Sequence, residues 1–159
     1  MDSTSGQHDF AFQTGHWRVR HRKLRRRLAG STDWFEFDGS CDAWEVLGGG
    51  GNLDDHFLND PAGAYRAATF RRIDPETGDW LIWWADGRRG GLDSPMRGSF
   101  KHGKGVFFGK DTLNDRSIDV RFFWICGDPD APRWEQAFTA DGGQSWETNW
   151  IMIFSRRDR

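Results

Sequence analysis

His8-Asp9-Phe10-Ala11-Phe12-Gln13-Thr14-Gly15-His16-Trp17-Arg18-Val19-Arg20-His21 is the stretch that decides the fold. The segment before Gly15 is too short for a full helix, but a single turn lays the Phe10 and Phe12 rings across an open barrel end. Gly15 then allows a sharp change of direction into the first long strand. From there the residues alternate. Trp17, Val19 and His21 share one face, and Arg18, Arg20 and Arg22 share the other, which predicts a barrel wall with Trp17 plugging the floor and His21 inside.

Working outward, strand-like runs recur every 10 to 15 residues. They cover 16–28, 31–46, 52–58, 65–73, 79–86, 96–102, 105–112, 117–126, 133–140 and 146–155. Asp74-Pro75-Glu76-Thr77-Gly78, His102-Gly103-Lys104-Gly105 and Asn114-Asp115 carry the turn chemistry of hairpins, while 48–51 and 127–132 read as loops. No window beyond the lead-in has helical periodicity, which removes α/β folds and their nucleotide sites. The expected fold is all-β: a closed, mainly antiparallel barrel of about ten strands with a short N-terminal helical turn.

The chain has 159 residues, the size of one domain, read as a single unit over 1–159. Only 36% of residues are hydrophobic, yet there are 10 Trp and 13 Phe, so a few large rings carry most of the burial. A net charge of −2 gives no global attraction to nucleic acid or an anionic membrane. The first residues have neither a basic start nor an apolar run, and no segment is long enough to span a bilayer, so the expected location is cytoplasmic. In that compartment Cys41 and Cys126 read as free thiols.

Gly15-His16-Trp17 followed by about ten strands resembles the calycin superfamily of lipocalins and fatty-acid-binding proteins. With His8-Asp9-Phe10 and the closing Trp134-Glu135-Gln136-Ala137-Phe138, the chain looks like small bacterial lipocalin-like proteins of unknown function. The resemblance implies a cup for a small apolar molecule, with Trp17 as a floor residue and Arg156 or Arg157 packed over it. Haem-binding relatives, the nitrobindins, take their ligating His late in the chain; here the last is His102, so no cofactor is expected.

Other motifs read as structural. Thr139-Ala140-Asp141-Gly142-Gly143-Gln144-Ser145-Trp146 fits the Asp-box of sialidase propellers, but a single copy marks a hairpin rather than a propeller. The run Arg18 to Arg27 reads as a solvated wall, and no nucleic acid is expected. No metal site is expected either, since Asp54-Asp55-His56 reads as a polar turn and the five His include no His-x-His pair.

The expected function is binding of a small hydrophobic or aromatic molecule inside the barrel, by His21, Trp84, Asp86, Trp124, Gln136 and Trp150. Gly87-Arg88-Arg89-Gly90-Gly91 reads as a mobile, solvent-exposed turn, with a place at the open mouth, where Arg88 or Arg89 contacts an anionic group, as the alternative. The alternative is an enzyme in which His21 and a buried carboxylate, Asp86 or Glu36, perform acid-base chemistry on that molecule. Strands around 80–84 and 149–154 are apolar on both faces, which predicts a homodimer, with a fold-back of the N-terminal segment as the other cover.

Overall fold

The computed structural model describes residues 6–158. Ten strands form one closed antiparallel barrel: β1 (Gly15–Leu24), β2 (Trp34–Val46), β3 (Gly51–Leu58), β4 (Tyr65–Ile73), β5 (Trp80–Asp86), β6 (Met96–Lys101), β7 (Lys104–Leu113), β8 (Arg116–Ile125), β9 (Arg133–Thr139) and β10 (Glu147–Arg156). Each strand pairs with its neighbours in sequence, and β10 returns to β1 with Trp17 opposite Arg156 and Lys23 opposite Trp150. Closure removes the open sheet edges that invite aggregation. The fold is therefore the all-β, closed antiparallel barrel that the alternation predicts, and the lead-in is a short 3-10 turn, Ala11–Gln13.

Three local readings change. The first strand ends at Leu24 rather than 28, because Arg25 N–H already closes the hairpin on the Asp33 carbonyl (2.9 Å). The 48–51 run is not a plain loop: it completes a 3-10 turn, Leu47–Gly49, and the Gly49 carbonyl accepts the His8 amide at 3.2 Å. Asp54-Asp55-His56 is not a turn at all. It lies inside β3, where alternation turns Asp54 and His56 inward to full burial.

The lead-in seals one end. Phe10 meets Trp80 and Phe100 edge-on at 4.9 and 4.8 Å, geometry favoured by the ring quadrupoles. Trp17 is fully buried and its indole N–H donates to the Gln13 carbonyl at 2.7 Å. Of the two arginines named for the Trp cover, Arg156 lies over the ring, 3.8 Å from its centroid. Gly15, at φ +128°, passes beneath that guanidinium; a Cβ there would come within 2.6 Å of Arg156 Nη1. The Asp-box is a hairpin device here: Asp141 accepts the Ser145 amide at 3.0 Å, Gly143 has φ +91°, and Trp146 packs beside Gly143. Cys41 is buried and free, and Cys126 is free and half-buried just past β8.

Above the Phe10 plug lies a buried polar network. Arg71 donates to Asp54 Oδ2 (2.8 Å), Asn52 Oδ1 (2.6 Å) and Gln13 Oε1 (2.9 Å), and Gln13 Nε2 donates back to Asp54 (3.2 Å). Burial alone would raise the Asp54 pKa, but Arg71 and His56 outweigh it and hold the group well below the carboxylate range. The lead-in is thus pinned by charge as well as by rings. Arg71→Met should lower stability by about 3–5 kcal/mol in urea unfolding, because it strands a buried carboxylate; a loss below about 1 kcal/mol would show that Asp54 is not ionised.

Candidate functional site

Opposite the plug the barrel is hollow, with a cavity of about 1060 Å³ that opens at the far end. This is slightly above the usual range of about 300–1,000 Å³ for small-molecule sites. Its walls come from the inward parity of the strands: Ile82 and Trp84 of β5, Ile118, Val120, Phe122 and Trp124 of β8, Trp134 and Phe138 of β9, Trp150 and Met152 of β10. Trp150 is the centre of the aromatic set, with Trp134 and Trp84 edge-on to it at 5.2 and 5.8 Å. β5 and β6 share three register pairs, Trp80 to Ile82, and beyond Ile82, on the side away from β4, the loop before β6 meets β5 through Asp93 N–H on the Trp84 carbonyl (3.2 Å).

Five of the residues named for binding line this cavity: Trp84, Asp86, Trp124, Gln136 and Trp150. His21 is inside the barrel, as parity requires, but it does not line the cavity. Its ring stacks on Phe37 at 4.6 Å, and its Nδ1 accepts the Trp150 indole N–H at 3.1 Å, so its partner is neither Asp86 nor Gln136. Its Nε2 has no partner among the described residues and faces Gly39, where a Cβ would come within 3.0 Å of it. Burial, with smaller contributions from His56 and Lys23, holds the imidazole pKa down to about 2, so it is neutral.

The two carboxylates named with His21 are occupied. Glu36 is not buried: it is on the outer face of β2, where Arg20 and Arg22 reach it at 3.4 and 3.3 Å. Asp86 is buried at the mouth, where it accepts the Arg88 backbone N–H (2.9 Å) and the guanidinium Nε (3.0 Å) and Nη2 (2.7 Å). Hydrogen bonds from Arg88 hold its pKa below the carboxylate norm, which makes it an ionised anchor for the loop. Arg89 pairs with Asp93 at 3.3 Å. Both arginines do line the mouth, yet both already face an anion.

The sequence reading missed two cations. Lys23 follows His21 on the same parity and is buried in the cavity wall, its Nζ donating to the Tyr65 hydroxyl at 3.1 Å and lying 4.0 Å above the Trp150 ring. Its nearest carboxylate among the described residues, Asp60, is 3.9 Å away. Burial first, then Arg27 and Arg88, bring its pKa down to about 8, against the pull of Asp60 and Asp86. Arg27 lines the cavity beside Phe138, 5.4 Å from the ring centroid, and makes no hydrogen bond or ion pair with the described residues.

One cluster has metal-ligand chemistry. Cys41, Asp54 and His56 bring one ligand atom each within 4.8 Å of one another below the cavity. There Arg71 and Gln13 already donate to Asp54 Oδ2, so a guanidinium fills the cation's place. His16 lies on the opposite face and pairs with Asp42 at 2.7 Å, as its parity predicts.

Among solved structures, an S-type phycobiliprotein lyase from Guillardia theta is similar in fold, with a TM-score of 0.63 at 12% identity, covering 94% of this chain and 91% of that one. No family model and no curated protein matches the sequence. Among the described residues no helix is long and apolar enough to cross a membrane.

His21→Phe keeps the ring volume but leaves the Trp150 N–H without an acceptor, and should cost about 1–3 kcal/mol at neutral pH. In the unfolded chain the imidazole takes a proton below about pH 6.5, and in the folded chain it does not, so the stability it brings is present above that pH and is lost as pH falls. The gap between wild type and variant in urea unfolding should therefore narrow as pH falls from about 6.5 to 5. A constant gap would mean that His21 titrates equally in both states.

Proposed function

We propose that the barrel binds a small aromatic molecule bearing an anionic group. The rings lie among Trp84, Trp124, Trp134 and Trp150, with Gln136 as a polar contact and Asp86 holding the mouth loop in place. His21 acts indirectly, by fixing the Trp150 indole. The observation that carries this reading is Arg27: a cation on the cavity wall, without a hydrogen bond or ion pair to the described residues, calls for an anion from outside. Arg88 and Arg89 are less apt for that role because their charges are met by Asp86 and Asp93. Compounds of the bilin type, ringed and carrying carboxylates, are a natural first series, given the fold shared with a phycobiliprotein lyase.

The test compares 8-anilinonaphthalene-1-sulfonate with its uncharged analogue N-phenyl-1-naphthylamine, read by Trp quenching and probe fluorescence. Both should bind, and Arg27→Gln should weaken the sulfonate about tenfold while leaving the uncharged probe within about twofold. Equal effects on both probes, or no binding of either, would overturn the assignment.

A second observation favours a homodimer. Ile125 and Ile153, 38% and 39% exposed, both pair with Arg133 and so flank it on one outer face of β8, β9 and β10. Light scattering should give twice the chain mass, and Ile153→Glu should restore the monomer; a wild-type monomer at micromolar concentration would remove this reading.

A further inference from the structure

Lys23 differs from every other lysine in the chain. There are four, and Lys101, Lys104 and Lys110 are exposed, whereas Lys23 is buried with its amine at the cavity wall. A buried amine beside a ligand-sized space has two possible roles, a fixed point charge or a nucleophile, and its surroundings separate them. A point charge needs a close counter-ion. Among the described residues the only carboxylate within 4 Å of Nζ is Asp60, at 3.9 Å, and the hydrogen-bond partner is the neutral Tyr65 hydroxyl.

We propose that Lys23 is a nucleophilic amine that condenses with the carbonyl group of an aromatic aldehyde held in the cavity, forming an imine. The proposal rests on the cavity reading above and adds a second functional group, an aldehyde, to the bound molecule. The unprotonated Nζ attacks the carbonyl carbon, a C–N bond forms, and the oxygen takes up a proton to give a carbinolamine. Loss of the hydroxyl with the remaining nitrogen proton releases one water and leaves the C=N bond. No oxidant or reductant enters. The Tyr65 phenol, whose pKa burial pushes up to about 12, stays protonated and is placed to donate to the oxygen as it departs. Trp150 closes the other side of the amine, 4.0 Å from the ring centroid, and keeps bulk water away from the product.

Charge on every side of the amine sets its protonation. Arg27 follows in the turn after β1 and Arg88 comes from the mouth loop, both opposing the ammonium; Asp60 after β3 and Asp86 at the end of β5 favour it. With burial added, the free amine becomes the main form above about pH 8. An aldehyde that also carries a carboxylate would meet Arg27 with that end, so 4-carboxybenzaldehyde is the matching probe.

The experiment treats the wild-type chain with a limiting amount of 4-carboxybenzaldehyde, reduces with borohydride and maps the modified peptides by mass spectrometry. Labelling at Lys23 should exceed that at each of the three exposed lysines about tenfold and rise as pH increases through about 8. It should fall when the sulfonate probe occupies the cavity, and Tyr65→Phe should slow it several-fold without moving the label. Lys23→Arg, checked by circular dichroism for the intact barrel, should remove it. Label spread over Lys101, Lys104 and Lys110 with Lys23 bare would overturn the imine. If that occurs while the sulfonate probe still binds, the binding reading stands and only the covalent step fails; if neither probe nor aldehyde enters, the cavity reading itself fails.

Discussion

A carboxylate inside a barrel has to be neutralised, and Asp54 is neutralised by Arg71 at 2.8 Å. The pair joins β3 to β4, and Gln13, which bonds to both members, ties the N-terminal turn to them. That turn brings Phe10 into the barrel end and places the carbonyl that receives the Trp17 indole. An apolar plug could occupy several similar positions, because dispersion is not directional; hydrogen bonds to a buried charge select one. The cost of desolvating the pair is accepted at the end of the molecule where position matters.

The two ends of the barrel use their cations differently. At the sealed end Arg71 commits both terminal nitrogens, Nη1 to Asn52 and Gln13 and Nη2 to Asp54. At the open end Arg88 and Arg89 are spent on holding the loop, while Arg27 and Lys23 lack a close match. Incomplete satisfaction of polar groups marks a place where something else is expected to complete the set. The loop between β5 and β6 brings Asp93 and Ser94 to the same lining, so the mouth and the unmatched charge coincide.

Period-two alternation made the barrel, the Trp17 floor and the inward face of β1 legible, since a barrel needs only parity and turns. The interior polar network was not legible, because Asp54 and His56 break the apolar alternation and Asp54 finds its cation, Arg71, 17 residues later in another strand. Lys23 was readable in principle: it continues the parity of Trp17, Val19 and His21. The surrounding basic run, Lys23 to Arg27, resembled a solvated wall and concealed it. The depth of His21 was misjudged for a different reason. Parity says which way a side chain points, but not that the Trp150 indole, from a strand distant in sequence, comes between the imidazole and the cavity.

The seam between β1 and β10 joins Trp17 to Arg156, whose positions in the chain are far apart, whereas the other strand pairs join sequence neighbours. During synthesis, β1 through β9 can pair as they emerge, yet the outer edges of β1 and β9 stay unsatisfied until β10 arrives. For that interval the nascent sheet presents two open edges, the vulnerable state for strand addition by another chain. Arg156, arriving near the end of β10, reaches the Phe12 and Thr14 carbonyls while its guanidinium covers Trp17. Translation therefore runs the latch last: the residue that covers the floor is made after nearly everything it has to hold.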